Sequence, residues 1–126
     1  MDDKIKELRK NADSARNYFL EYLAYTIGPH ELKNLMDEEH INLLDVRRHA
    51  DFDISHIPGA ISLTKEELAD NLDKLDKEKT TVVYCYNSQC HLGAQACLIL
   101  ADYSYPCVLL QGGFKVWKED FLFAST

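Results

Sequence analysis

Residues 81–91 read Thr81-Val82-Val83-Tyr84-Cys85-Tyr86-Asn87-Ser88-Gln89-Cys90-His91. The β-branched run at the start predicts a strand over 81–84, because branched side chains suit a packed sheet. The mostly apolar residues 91–101 predict a helix. The segment between them is therefore a loop that joins the carboxyl end of a strand to the beginning of a helix, and Cys85 is its first residue.

The rest of the chain repeats this alternation of strand and helix. Short apolar runs predict further strands over residues 24–27, 41–46, 61–63 and 107–110, with helical segments between them. This order favours a three-layer α/β/α fold, in which helices cover both faces of a mainly parallel sheet. Binding sites in such sheets form beyond the carboxyl ends of the strands, which is where Cys85 lies.

An amphipathic helix is predicted ahead of this unit, over residues 2 to about 24. Apolar side chains recur there at steps of three and four residues, at Ile5, Leu8, Ala12, Ala15, Phe19 and Tyr22. An apolar stripe usually faces the protein's own core, so we expect this helix to pack on the domain surface. A helix that binds a partner or a second copy is the alternative.

Charge and hydropathy argue against several classes of function. The formal net charge of -7 disfavours nonspecific binding of nucleic acid. No apolar run approaches the roughly 20 residues of a membrane helix, and residues 1–6 lack the basic-then-apolar order of a signal peptide. The sequence therefore predicts a cytoplasmic protein with neither nucleic acid nor a membrane as a partner.

The chain has four cysteines, which we expect to be thiols in a reducing compartment. Cys85, Cys90 and His91 could bind zinc on paper, but their spacing does not match the common zinc motifs, and no metal site is predicted. Cys97 falls in a predicted helix and Cys107 in a predicted strand. Both are expected to be core residues whose burial makes them slow to react.

The loop after Cys85 has the features of an anion cradle. A strand-to-helix loop can point successive backbone amides inward, and the helix that follows adds the positive end of its dipole. Both effects favour a thiolate, so we expect the Cys85 pKa to lie well below the ordinary value of about 8.5. The plainer interpretation is a small buried residue, but Cys85 follows the strand instead of lying within it.

Three segments together resemble the rhodanese family. The first runs from Leu44-Asp45-Val46-Arg47 through Phe52 to His56-Ile57-Pro58-Gly59-Ala60-Ile61, the second is Val82-Val83-Tyr84-Cys85, and the third is Leu110-Gln111-Gly112-Gly113-Phe114 with Trp117. Each motif alone is weak, but their order over about residues 25–121 is specific. The resemblance divides the chain into an N-terminal extension, 1–24, and a rhodanese-like domain, 25–126.

The resemblance implies a five-stranded parallel sheet and a sulfurtransferase that needs no cofactor. Cys85 would take a sulfane sulfur from a small donor, carry it as a persulfide and pass it to a thiol or a cyanide-like acceptor, which could be a protein thiol. The anion-binding loop would comprise Tyr86, Asn87, Ser88, Gln89, Cys90 and His91. Asp45 and Arg47 would order this loop, or form an ordinary ion pair. His56 would brace its own turn by hydrogen bonding.

The loop departs from the family pattern, in which Gly often stands three residues after the cysteine and Arg five residues after it. Here those positions hold Ser88 and Cys90, and His91 follows. Without the bidentate anion clamp of Arg, a persulfide or polysulfide donor becomes more plausible than thiosulfate. Cys90 could attack a Cys85 persulfide and release sulfide, or it could simply anchor the start of the helix.

Two other classes of function remain open at this stage. A non-catalytic binding module is compatible with the altered loop, since fold does not fix function. A cysteine phosphatase is the second alternative. It requires an Arg six residues after the cysteine, and His91 occupies that position.

Overall fold

The computed structural model describes residues 2–38, 40–121, 123 and 125–126. Its strands are β1 (Thr26–Ile27), β2 (Ile41–Asp45), β3 (Ile61–Ser62), β4 (Thr80–Tyr84) and β5 (Cys107–Leu110). Its α-helices are α1 (Asp3–Arg9), α2 (Ala12–Tyr25), α3 (Pro29–Glu38), α4 (His49–Ile54), α5 (Lys65–Leu68), α6 (Leu92–Asp102) and α7 (Gly113–Lys115). A 3₁₀ turn covers Leu72–Lys74, and a π-helical turn over Val116–Asp120 continues α7.

The strands of the described residues form one parallel sheet in the order β1-β5-β4-β2-β3. The central strand β4 pairs with β2 on one side and with β5 on the other, and its side chains are buried on both faces, where clusters of apolar side chains cover them. This explains its continuous β-branched run, since neither face meets water. The five-stranded parallel α/β fold expected from the sequence is confirmed.

Two hydrophobic clusters cover the two faces of the sheet, and alternate residues of each central strand belong to opposite clusters. Val82 and Tyr84 pack with α3 and α7 residues such as Leu32 and Phe114. Val83 and Cys85 pack in the other cluster, which contains α6 side chains. The alternation follows from the period of two in a strand. Cys85 therefore faces α6 from the end of β4.

The predicted N-terminal helix is two helices. α1 ends at Arg9, and α2 begins at Ala12 after Asn11, whose side-chain oxygen accepts a hydrogen bond from the Ser14 amide at 3.0 Å. An asparagine in this role caps a new helix and so interrupts the old one. α2 extends to Tyr25, so the expected boundary between residues 24 and 25 falls in its last turn. Met1 lies outside the described residues.

The expectation that this segment buries its apolar stripe is wrong. No described residue of α1 or α2 is buried, and Leu8, Phe19 and Leu23 are 64%, 57% and 73% exposed. The segment contacts the domain where α2 meets β1 and β5 at the sheet edge. Among the described residues no helix combines the length and the apolar character needed to cross a bilayer.

Candidate active site

Cys85 lies directly beyond the carboxyl end of β4 and is only 3% exposed. The β2–β4 ladder ends beside it, where the Val46 amide donates to the Tyr84 carbonyl at 3.1 Å. After this point the backbone turns away from the sheet. The next two carbonyls accept hydrogen bonds from the backbone of α7. The Phe114 amide donates to the Cys85 carbonyl at 2.9 Å, and the Lys115 amide donates to the Tyr86 carbonyl at 3.0 Å.

Gly113, the first residue of α7, occupies a position that requires glycine. Its φ angle is +63°, a conformation that side chains disfavour. A Cβ atom added there would lie 2.7 Å from the Cys85 carbonyl oxygen and 2.9 Å from the Asn87 amide nitrogen. Only glycine lets the start of α7 approach the loop this closely. The C-terminal motif therefore supports the backbone that carries Cys85.

Some backbone amides of the loop donate hydrogen bonds within the loop, and others donate to the two thiols. Asn87 accepts the Gln89 amide on its side-chain oxygen at 3.0 Å and the Cys90 amide on its carbonyl at 3.1 Å. The amides that stabilise negative charge on the sulfurs belong to Tyr86, Leu92 and Gly93. Leu92 and Gly93 lie outside the anion-binding loop predicted from the sequence, which ended at His91.

Gly93 brings the first turn of α6 against the thiol. A Cβ atom at this position would lie 3.5 Å from the Cys85 Sγ and 2.6 Å from the Leu109 Cδ1. The absence of a side chain lets the helix pack closely enough for its Gly93 amide to bond the sulfur. A glycine early in a predicted helix was the signal in the sequence for this close approach.

Cys85 and Cys90 form a hydrogen-bonded pair. The Cys85 thiol donates to the Cys90 carbonyl oxygen at 3.4 Å, and the two thiols interact so that their pKa values shift in opposite directions. Burial, followed by the bond to Cys90, raises the pKa of Cys85 to about 11, although the Gly93 and Tyr86 amides oppose this rise. Burial also disfavours the Cys90 thiolate, but the bond from Cys85 and the amides outweigh it and lower the Cys90 pKa.

The expectation of a depressed Cys85 pKa is therefore wrong, and the more readily ionised member of the pair is Cys90. The reason is desolvation: Cys85 is buried, whereas Cys90 is only partly buried. The loop amides and the helix dipole favour negative charge on the pair. Cys90 therefore loses its proton at a lower pH than Cys85 does.

Cys97 and Cys107 form a second pair, half-buried between α6 and β5, where the Cys107 thiol donates to the Cys97 carbonyl at 3.4 Å. Both pack against the cluster that contains Cys85, as expected of core residues. A hydrogen bond from Cys97 lowers the pKa of Cys107 to about 7 against the effect of burial, and raises that of Cys97. The sequence predicted that both thiols would react slowly, but the lowered pKa of Cys107 makes it the more readily ionised of the two.

Asp45 and Arg47 form a buried bidentate ion pair at the end of β2. The Arg47 Nη2 and Nε atoms lie 2.8 and 3.1 Å from the Asp45 Oδ2, and Nη2 also donates to the Ser55 carbonyl at 2.7 Å. The guanidinium lies 4.2 Å from the Phe114 ring centroid and 5.7 Å from that of Tyr86. The ion pair is therefore present and packs against Tyr86 and against Phe114 of α7, and its role in ordering the loop stays a prediction.

The loop has a further support that sequence reasoning missed, at the beginning of α4. The Tyr86 hydroxyl donates to the Asp51 carboxylate and accepts a hydrogen bond from the Arg48 amide at 3.2 Å. The bond from Tyr86, followed by that from Arg48, lowers the Asp51 pKa. The i, i+3 spacing of Arg48 and Asp51 was the available signal, but only the fold shows that Tyr86 reaches them.

The remaining predicted residues have peripheral positions. Ser88, Gln89 and His91 are exposed, and the His91 side chain does not cap α6. His56 braces its turn as expected, with Nδ1 2.9 Å from the Phe52 carbonyl. Among the described residues no cluster of three or more metal-ligating side chains occurs.

Comparisons with known proteins agree with this geometry. The rhodanese-like domain family pattern matches residues 28–120. The thiosulfate sulfurtransferase GlpE of Pseudomonas savastanoi is 31% identical over 93 residues, which are 74% of this chain and 87% of that protein. The HTH-type transcriptional regulator Rv0324 of Mycobacterium tuberculosis is 33% identical over 88 residues, which are 70% of this chain but only 39% of the regulator.

Among solved structures, the BH2092 protein of Bacillus halodurans superposes with a TM-score of 0.85 at 25% identity. The match covers 92% of this chain and 86% of that one. The motifs at the ends of β2 and β4 and at the start of α7 thus lie together around the loop after β4, and the chain belongs to the rhodanese-like domain family.

Proposed function

We propose that this protein is a sulfurtransferase that carries sulfane sulfur as a persulfide on Cys85 and passes it to a thiol or another thiophilic acceptor. The observation that carries the proposal is the buried Cys85 thiol, which lies beyond the carboxyl end of β4 against Gly93 in the first turn of α6 and donates to the Cys90 carbonyl at 3.4 Å. Relatives named as sulfurtransferases support the same reaction class.

The Cys85–Cys90 pair suits the first half of this reaction. The Cys85 Sγ attacks the outer sulfur of a persulfide donor and forms a new S–S bond, while the donor's own S–S bond breaks and its thiolate leaves. The proton on Cys85 passes along the hydrogen bond to Cys90, which acts as the base. The Tyr86 and Gly93 amides then stabilise negative charge on the loaded sulfur.

The charge of the loop favours a donor of low charge. Residues 86–91 contain neither Arg nor Lys, so the loop offers amide dipoles and an exposed His91 in place of a fixed cation. Thiosulfate carries two negative charges and would lose its hydration without a bidentate partner. A persulfide or polysulfide of an organic thiol carries less charge and therefore loses less hydration free energy on binding. This is the donor class that we propose.

A brief exposure to glutathione persulfide, followed by a rapid acid quench and peptide mass spectrometry, tests the proposal. We expect the peptide that contains Cys85 to gain one sulfur atom in the wild type and in Cys97→Ser, and Cys85→Ser to lose sulfur transfer while it stays folded. A folded Cys85→Ser variant with full transfer would contradict the assignment.

The matched regulator suggests the competing function, a domain that binds a partner without chemistry. The same experiment separates the two proposals. If no cysteine in the loop reacts with the donor, the binding module becomes the better explanation.

A further inference from the structure

The second thiol of the loop, Cys90, has a position that anchoring alone does not explain. Its backbone already fixes the loop, because its amide donates to Asn87 at 3.1 Å and its carbonyl accepts the Cys85 thiol at 3.4 Å. Its side chain is partly buried against the same cluster as Cys85 and hydrogen-bonds to that thiol. The side chain is therefore free for chemistry at the Cys85 sulfur.

We infer that Cys90 is the resolving thiol of this site: it attacks the Cys85 persulfide, releases hydrosulfide and leaves a Cys85–Cys90 disulfide. The inference rests on the proposed function, because it begins from the loaded Cys85. It makes the substrate class a persulfide or polysulfide and gives sulfide as a product. It applies when no external acceptor takes the terminal sulfur first.

The step balances in atoms and electrons. The Cys90 Sγ bonds to the Cys85 Sγ, and the bond from that atom to the terminal sulfur breaks. The proton that Cys90 accepted during loading leaves with the terminal sulfur. The sulfane sulfur is reduced to sulfide as two cysteine thiols are oxidised to a disulfide, and two equivalents of a low-molecular-weight thiol then restore the pair by exchange.

The geometry of the pair suits this exchange. A disulfide needs its two sulfurs to approach closely, and the Cys85 Sγ already lies 3.4 Å from the Cys90 carbonyl oxygen, with both side chains packed in one cluster. The Tyr86, Leu92 and Gly93 amides favour negative charge on Cys90, which supplies the attacking thiolate. Attack within one loop also gains from proximity over attack by a thiol in solution.

A single-turnover experiment tests the inference. The reduced full-length protein is mixed with one equivalent of glutathione persulfide, and released sulfide and non-reduced peptides are measured in the wild type, Cys90→Ser and Cys107→Ser. Reactions without protein and with Cys85→Ser correct for breakdown of the donor. Cys107→Ser is the matched control, because it breaks the second thiol pair and leaves the loop intact.

We expect the wild type and Cys107→Ser to release sulfide and to yield linked peptides containing Cys85 and Cys90. In Cys90→Ser the extra sulfur should stay on Cys85, and sulfide release should fall by about tenfold or more, since the internal nucleophile is gone. If the Cys85 persulfide lasts as long in the wild type as in Cys90→Ser, the inference is overturned and the proposed function still stands. A disulfide that links Cys97 and Cys107, and not Cys85 and Cys90, has the same consequence.

Failure of the proposed function has a different signature. In that case the wild type, quenched rapidly in acid, neither gains sulfur on Cys85 nor forms a Cys85–Cys90 link. The state of Cys85 in the rapidly quenched wild type therefore distinguishes a wrong resolving residue from a wrong reaction.

Discussion

Burial and the backbone amides of Gly93 and Tyr86 shift the Cys85 pKa in opposite directions, and burial is the larger effect. The sequence predicts Cys85 as the reactive residue because it lies where a strand gives way to a loop. It cannot show how much solvent the folded chain removes from that thiol, nor that Cys90 lies in hydrogen-bond contact with it. The sequence was therefore enough to single out Cys85 as the candidate, but not to predict which of the two thiols, Cys85 or Cys90, ionises at the lower pH.

The first prediction concerns the pH dependence of alkylation. A thiol reacts faster as the pH rises through its pKa, so Cys90 should react with iodoacetamide at a lower pH than an ordinary cysteine. The Cys85 rate should keep rising towards pH 11. In Cys90→Ser the Cys85 midpoint should fall below this value, because the bond and charge of Cys90 are gone, but stay above the ordinary range because burial remains.

Labelling of each cysteine followed by mass spectrometry measures these midpoints, with Cys107→Ser as the control that leaves the loop untouched. A wild-type Cys85 midpoint near neutral pH would show that the loop amides outweigh burial, contrary to this account.

The second prediction is that Cys90→Arg raises the use of thiosulfate. The substitution removes the thiol that raises the Cys85 pKa and adds a cation that favours the thiolate. A charge-assisted hydrogen bond to the donor contributes about 1.5–3 kcal/mol, so kcat/KM for thiosulfate should rise about tenfold or more. Steady-state kinetics with thiosulfate measure kcat/KM in the wild type and in Cys90→Arg. An unchanged kcat/KM in a folded variant would count against an anion clamp at this position.

At the scale of elements, the loop is held by α4 and α7, which are far from it in sequence, and by the first turn of α6, which follows it directly. The strands β4 and β5 were predictable to within one residue, because apolar runs bounded by turns are local signals. The contacts of the loop with α4 and α7 were not predictable, since Asp51 and Gly113 reach it only after the chain has folded. The break at Asn11 was missed for the opposite reason, because a local cap overrode a continuous apolar periodicity.

The third prediction tests the contact between α7 and the loop. Gly113→Ala places a Cβ atom 2.7 Å from the Cys85 carbonyl and forces a positive φ angle on alanine. We expect a loss of roughly 1–3 kcal/mol in the free energy of unfolding, together with reduced sulfur transfer as the loop shifts. Urea denaturation and donor turnover measure the two effects.

Gly28→Ala is the matched control for this substitution. Its added Cβ atom would meet no atom within 4 Å, and its φ angle is not positive. Equal losses in the two variants would mean that the cost comes from replacing glycine in general and not from the approach of α7 to the loop.

At the scale of the whole molecule, the site and the N-terminal helices lie at different parts of the sheet. Cys85 follows the central strand β4, whereas α2 leads into the edge strand β1. The division into an extension and a catalytic domain remains a prediction, and the exposure of α1 and α2 gives a physical reason for it. Side chains that bury no surface add little to the stability of the domain.

The last prediction follows from this separation: a chain that starts at Tyr25 should fold and keep its Cys85 chemistry. It retains both residues of β1, and it loses no buried side chain of α1 or α2. The free energy of unfolding should change by no more than about 2 kcal/mol, because exposed positions contribute little. The loss that does occur should come from the contacts of α2 with β1 and β5. Urea denaturation and sulfur gain on Cys85 measure both properties, with the full-length chain as the reference. A folded truncation without sulfur transfer would show that the N-terminal helices help to build the site, because every support of the loop described above would still be present.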